Sequence, residues 1–284
     1  MQVLRPTGLA DALEARAARP DALALRGGTD VMVAINFRRV RPPALLDLGR
    51  VAELGDWSPE NGRLRIGAGM THARLAAELD EHAPALARAA LATGSLQVRN
   101  RGTLGGNVGT ASPSGDALCA LVGAGADAEL AGPGGTRRVP VEALVTGPHA
   151  TALRADELIA AFHVPRAAGP EVYAKVGARN AMVMGTVSLA LGLDPGRRTV
   201  RAAAGSAGPT PLRMREAEEH AAGALDWDGL APADAEAVAR FAALVTGAAR
   251  PVDDVRGTAA YRRHALGVLA RRCLTWAWDA HRAA

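Results

Sequence analysis

Two cysteines, Cys119 and Cys273, are the only thiols in a chain of 284 residues, and no Cys-x-x-Cys pair occurs. An iron-sulfur cluster takes about four thiolates from its protein, so this chain cannot ligate one by itself. Aromatic residues make up only 3% of the sequence, which leaves Leu, Val and Ala to build the core. No apolar run approaches the ~18 residues that a membrane-spanning helix requires. The opening MQVLRPTGLADALEARAARP has no apolar centre of the kind a secretory signal carries. A cytoplasmic chain without disulfides is therefore expected. Blocks of one charge are missing too. The net charge is +4, but the arginines come as scattered pairs with acids between them, as at Arg38-Arg39 and Arg197-Arg198. That pattern reads as a solvated surface and not as a nucleic-acid footprint.

What is present is an ordinary globular composition, 49% hydrophobic and 22% charged, at a length that suits about two domains. A helix is expected from Leu9 to Ala18, then strands at 22–28 and 44–48 around a short helical segment. A strand ending in glycines follows at 64–69, with a helix from Thr71, a good N-cap, to about Glu81. Helices are also expected at 84–94 and 116–126, and two strands at 127–132 and 136–141 are joined by the turn GPGG. The segment VPRAAGP at 164–170 reads as a linker. Three consecutive strands are expected beyond it, then helices from about Arg213, Pro232 and Thr258. The last carries Leu266, Leu269, Cys273 and Trp276 at spacings of three and four. The fold class is α+β: one domain at 1–167 in two parts (about 1–55 and 56–167), and a second at 168–284 with an antiparallel sheet backed by helices.

Between Leu96 and Asp116 runs LQVRNRGTLGGNVGTASPSGD, which has almost no large apolar side chain and neither packs a core nor alternates like a strand. It contains Gly105-Gly106, and Gly27-Gly28 end an earlier strand. Glycine lets a backbone take positive φ and approach a ligand, and successive amides in such loops form an anion-binding concavity. Two such loops suit a pyrophosphate, with Asn107 and Thr110 adding side-chain donors and Asp116 a carboxylate for sugar-type hydroxyls. On these residues alone, two turns between strands and an Asp116 that merely caps a helix are the preferred reading. A phosphate loop ending Gly-Lys-Ser/Thr is absent. GAGADA at 123–128 follows a helix and precedes a strand, the reverse of the dinucleotide fingerprint, and reads as a helix C-terminus.

The stretch VRNRGTLGGNVGTASPSGDALCALVGAGADAEL resembles the signature of the FAD-binding subunit of the molybdenum hydroxylases, the family of xanthine dehydrogenase and aerobic carbon monoxide dehydrogenase. LRGGTDV, LVTGPHATALRADELIAAFHVP, YAKVGARNAMVMGTVSLALGL and AYRRHALGVLARRCL resemble further family segments in the same order, so the likeness covers nearly the whole chain. It implies a two-part FAD-binding domain of the vanillyl-alcohol-oxidase/p-cresol-methylhydroxylase type. A C-terminal domain with a three-stranded antiparallel sheet and helices follows, as in the carbon monoxide dehydrogenase flavoprotein. By position, the first phosphate loop falls on Arg26, Gly27, Gly28, Thr29 and Asp30, beside Val31. The second falls on Thr103, Leu104, Gly105, Gly106 and Asn107. Thr110 matches a dinucleotide contact, Gly115 and Asp116 the pair at the ribityl chain, and Leu158 and Ile159 apolar residues near the rings. Lys175 either brings positive charge to the flavin or points outward from its strand. Arg99 and Arg101 either approach the phosphates or brace the loop, and bracing is the preferred reading. Ala111-Ser112 replaces the family's usual Ala-Asp, which removes one acid from the site.

The resemblance further implies noncovalent FAD in an electron-transfer subunit of a heterotrimer. A large subunit would hold the molybdenum cofactor, a small one the iron-sulfur clusters, and NAD, oxygen or a quinone would take the electrons. A stand-alone flavin oxidase and a flavin-free assembly subunit are the competing readings. His72, at a helix start, reads as a capping or surface histidine, and His149 and His163 lack a metal-ligand pattern.

Overall fold

The computed structural model describes residues 1–284. The chain opens with β1 (Gln2–Leu4), α1 (Leu9–Ala18), β2 (Leu23–Leu25), α2 (Val31–Asn36) and β3 (Ala44–Asp47). The strands form a parallel sheet in the order β1-β3-β2. Parallel strands are normally covered on both faces, which suits the continuous apolar run Ala44-Leu45-Leu46. Ala12 of α1 packs with Ala44, Leu46, Val51 and Leu54 in a small core that also takes in Leu158 and Ala160 from far along the chain.

Next come β4 (Trp57–Glu60), β5 (Arg63–Gly67), α3 (His72–Glu78), α4 (Pro84–Ala92), α5 (Leu96–Arg101), α6 (Leu104–Thr110) and α7 (Asp116–Ala124). After them lie β6 (Asp127–Gly132), β7 (Gly135–Pro140), α8 (Val141–Leu144), β8 (Val145–Gly147), β9 (Ala150–Thr151) and β10 (Leu158–Pro165). Five strands pair antiparallel in the order β4-β5-β10-β6-β7. Alternation assigns the two faces. Leu64, Ile66, Ala128, Leu130, Phe162 and Val164 enter the largest core. On the other face Arg63 pairs with Asp127 (2.9 Å) and Arg65 with Glu129 (2.6 Å), while Glu129 also meets His163 Nε2 at 2.6 Å. His163 is thus a buried structural side chain, hydrogen-bonded to the Glu129 that Arg65 also holds.

The remaining elements are β11 (Glu171–Val176), β12 (Val187–Asp194), β13 (Thr199–Gly205), β14 (Leu212–Arg213), α9 (Arg215–Ala224), α10 (Ala235–Ala248) and α11 (Ala259–Arg282). The three expected antiparallel strands are present, and the two-residue β14 extends them to β11-β12-β13-β14. Val187, Leu189, Leu191, Ala202 and Ala204 pack with the helical layer, where Phe241 and Trp278 are fully buried. Tyr173, Ala190 and Ala203 face the other way and join the core of the preceding sheet.

The helix between the two sheets is α7, with eight of its nine residues buried. Its contacts are close: a Cβ at Gly123 would lie 3.0 Å from Ala190 Cβ, and one at Gly205 3.3 Å from Cys119 Cβ. Small residues here let helix and sheet approach, which explains why a chain so poor in aromatics packs well.

Glu171 links the start of β11 to α4. The Ala85 amide donates to Glu171 Oε2 at 3.2 Å, and burial pushes the carboxyl up to about 7. Below the ordinary value of 4.5 both folded and unfolded chains hold a protonated carboxyl, and its contribution to stability is complete. It is lost as pH rises through about 7, where folding keeps an ionised carboxylate out of water. Glu171→Gln keeps an acceptor for Ala85, so it is expected to melt a few degrees above the parent at about pH 8. The difference should vanish at about pH 4.5. Equal melting temperatures at both pH values would contradict this account.

Candidate functional site

The strand β2 runs into Gly27-Gly28, and the backbone here has little freedom to hold a side chain. Gly28 has φ +74°, and a Cβ on Gly27 would sit 2.1 Å from the carbonyl oxygen of Arg101. The turn therefore rests backbone to backbone on the end of α5. The amides of Gly27, Gly28, Thr29, Asp30 and Val31 donate to no acceptor within the protein. Five free consecutive N–H groups around a positive-φ glycine form an anion cradle. Asp30 closes its far side by accepting from the Thr110 hydroxyl at 3.3 Å. Arg26 is a brace: its guanidinium donates to the carbonyls of Gly69 (3.1 Å), Leu48 (2.7 Å) and Val51 (2.7 Å).

The stretch 96–116 is more regular than its composition implies, because it contains α5 and α6. Ser95 caps the first through a bond from the Val98 amide (3.3 Å), and Thr103 caps the second through the Gly106 amide (3.1 Å). These two caps are the sequence signal for helices that a pattern of apolar residues does not reveal. The consequence for the second glycine pair is direct. The Gly105 amide donates to Ala68 O (2.7 Å) and the Asn107 amide to Thr103 O (2.9 Å). Gly105-Gly106 is thus not a second open loop of free amides. Its glycines let α6 start against Ala68, whose carbonyl oxygen would lie 2.8 Å from a Cβ on Gly105. Leu104 is fully buried beneath it. Asn107 Oδ1 accepts from the Leu118 amide at 3.0 Å and so ties α6 to α7.

At the start of α7, Gly115 is the N-cap and Asp116 the first helical residue. Asp116 does not cap the helix with its side chain. Tyr173 Oη donates to Oδ1 at 2.6 Å, and Lys175 Nζ donates to Oδ2 at 2.9 Å. The same ammonium donates to Ala92 O (2.7 Å) and Val183 O (3.1 Å). Lys175 therefore does not point outward from its strand. Burial pushes the Asp116 carboxyl up from its ordinary value, while Lys175, Tyr173 and Thr93 pull it back. Burial and the neighbouring Asp116 hold the Tyr173 hydroxyl well above its ordinary value. Tyr173 was not among the expected site residues. Its signal is the strand period, which puts it on the same face as Lys175 two residues on.

Around this centre the expected residues separate. Ile159 is half-buried with its Cδ1 toward Gly109, whereas the adjacent Leu158 is buried in the N-terminal core. Arg99 donates to Thr93 O (3.2 Å) and Gly94 O (3.0 Å), a bracing role. Arg101 is exposed and unpaired, and with Arg26, Arg74, Asn100 and Thr103 it lines a cavity of about 190 Å³ that no hydrophobic side chain enters. His72 is not a surface or capping residue. Thr71 takes the cap, and His72 is buried with an unpartnered Nδ1 and a ring pushed down to about 4 by burial and by Arg99. His149 is exposed, with Nδ1 3.0 Å from Thr110 O.

These features fit a dinucleotide with an anionic centre and a polyol arm. Free amides suit the anion, and the Asp116 oxygens, each with one protein donor, retain lone pairs for hydroxyls. Residues 1–167 match the FAD binding domain in molybdopterin dehydrogenase, and residues 172–277 the CO dehydrogenase flavoprotein C-terminal domain. The chain is 31% identical over 280 residues to the putative xanthine dehydrogenase FAD-binding subunit of Escherichia coli strain K12, covering 95% of this chain and 94% of that one. It is 27% identical over 273 residues to the nicotine 6-hydroxylase medium subunit of Paenarthrobacter nicotinovorans, with 95% and 94% covered. Among solved structures, the carbon monoxide dehydrogenase of Hydrogenophaga pseudoflava superposes with a TM-score of 0.88 at 29% identity, covering 99% of this chain and 98% of that one. Matched along both parts of its length, the chain belongs to the family of FAD-binding subunits of the molybdopterin dehydrogenases, which are oxidoreductases.

Proposed function

We propose that this chain is the electron-transfer subunit of a molybdenum hydroxylase complex, with noncovalent FAD held mainly by residues 1–167 and the site completed by 168–284. The observation that carries this reading is the run of five unbonded amides from Gly27 to Val31 at a glycine with φ +74°. They would hold the pyrophosphate. Thr103, Leu104, Gly105, Gly106 and Asn107 act as a rigid wall, with Thr110 and Asp30 at its end. Gly115 admits the ribityl chain and the Asp116 carboxylate accepts from its hydroxyls, while Ile159 supplies apolar contact toward the rings. When bound, FAD supplies the ability to take up electrons singly and deliver them in pairs.

The chain has no set of thiolates for a cluster, which fits a division of labour. A small iron-sulfur subunit would deliver electrons, and a large molybdopterin subunit would oxidise the substrate. NAD, oxygen or a quinone would be the acceptor. No helix is long and apolar enough to cross a membrane, and a cytoplasmic complex is part of the proposal. This chain's contribution is positioning and electrostatics, with the ion pair of Asp116 and Lys175 excluding net charge from that part of the site.

The purified chain, reconstituted with FAD, is expected to show flavin absorption that moves to the supernatant on acid precipitation. Colour that stays with the precipitate would indicate covalent attachment and a stand-alone oxidase. A chain that takes up no flavin but still binds its partner subunits would be an assembly subunit.

Substitution at the cradle gives a sharper test. Gly27→Ala forces the Arg101 carbonyl away, and Asp116→Ala removes the acceptor for the ribityl hydroxyls. Each is expected to weaken FAD about tenfold or more with the far-UV spectrum retained. Unchanged FAD affinity in both would reject the site.

A further inference from the structure

Asp116 is gripped from two sides by the C-terminal part of the chain. Tyr173 and Lys175, both on β11, each take one carboxylate oxygen. The turn that delivers Asp116 is held separately. Ser206 donates its amide to Pro113 O at 2.7 Å and its hydroxyl to Ser114 Oγ at 2.8 Å, and Arg256 also bonds Ser114 Oγ. The Asp116 side chain, held from β11, and the turn before it, held by Ser206 after β13 and Arg256 before α11, are thus both fixed from outside the segment that carries the glycine cradle. We propose that Tyr173 is a positioning residue of the flavin site, and that with Lys175 it holds the Asp116 carboxylate ionised and aimed, so that the C-terminal sheet completes the cradle. The proposal rests on the FAD reading above.

The physical case is that a carboxylate buried this deeply is tolerated only with donors on both oxygens. Lys175 supplies the compensating charge. Tyr173 supplies direction, because a ring buried on all sides can turn its hydroxyl to few other acceptors. Without Tyr173, Oδ1 loses its 2.6 Å donor and Lys175 holds the carboxylate by Oδ2. The ribityl hydroxyls would then meet an acceptor that is present but not aimed.

The test is the affinity of the full-length chain for FAD itself, read by quenching of flavin fluorescence across about pH 5 to 9. The groups facing Asp116 are Lys175 and Tyr173 from β11, Cys119 one turn along α7, and Thr93 after α4, whose carbonyl Arg99 holds. Ser188 of β12 lies against both Tyr173 and Cys119. Glu171, at the start of β11, titrates near 7. Asp116→Asn therefore serves as the reference, since any pH dependence it retains comes from groups other than Asp116.

The parent chain is expected to lose affinity as pH falls and Asp116 takes a proton. In Tyr173→Phe the midpoint of that loss should move up by about one pH unit, and in Lys175→Met by more. Asp116→Asn should bind weakly with this transition gone. A Tyr173→Phe profile parallel to the parent, merely weaker at every pH, would overturn the proposal and leave Tyr173 as packing. If Tyr173→Phe does not fold, as judged by thermal melting, the Lys175→Met profile decides by the same criterion. Failure of the parent chain to bind FAD at any pH is a different result and would overturn the cradle reading itself.

Discussion

The structure depends on one constraint: α7 is buried on every side, yet it begins with a carboxylate. A helix surrounded by protein must be apolar around its circumference and must find partners for its end groups. The sequence meets the first demand with ALCALV between Asp116 and Gly123. It meets the second at Asp116, where a carboxylate at a helix N-terminus is favoured by the dipole but penalised by burial. That conflict places a buried carboxylate with a donor on each oxygen at the junction of the two sheets. These contacts also hold the sheets together, since Tyr173 and Lys175 belong to one sheet and α7 lies over the other.

A second consequence concerns the glycines. The two Gly-Gly pairs look alike in sequence but have different physical roles. Gly27-Gly28 rests on the end of α5 yet leaves its amides without acceptors, and Gly28 has positive φ. Gly105-Gly106 has its amides bonded because Thr103 caps α6 and Ala68 lies against it. The first pair offers donors, whereas the second gives a surface smooth enough for close approach. Only the donors of the first could carry the charge of a pyrophosphate.

Much of the fold was legible in the sequence. The helix Leu9–Ala18 and the strand Asp127–Gly132 match their expected limits, because apolar spacing and flanking turn residues agree there. The reading failed where structure is set by caps and not by periodicity: α5 and α6 lack an apolar stripe and were not expected as helices. At the site, the first glycine turn and Asp116 stood out by residue type, but their partners did not. Tyr173 looks like one more strand aromatic, and His72 looks like a helix-start histidine until the tertiary packing that buries it is known. Leu158 and Ile159, read as a pair, are separated by the strand's alternation, which sends one into each core.

The choice of lysine at position 175 follows from geometry. Lys175 is the only lysine among 33 Lys and Arg residues, so the chain otherwise uses guanidinium for every cationic task. The acceptors at this point are Asp116 Oδ2, Ala92 O and Val183 O, which come from the start of one helix, the end of another and a loop. Three acceptors converging from three directions on one atom match the tetrahedral donors of an ammonium. A planar fork matches two parallel acceptors and is bulkier. Arginine at 175 would set a longer, bulkier planar group between α4 and α7, which loosens the residue that the ribityl chain would meet. The single lysine therefore marks the place where the two sheets, the buried helix and the proposed flavin site share one set of contacts.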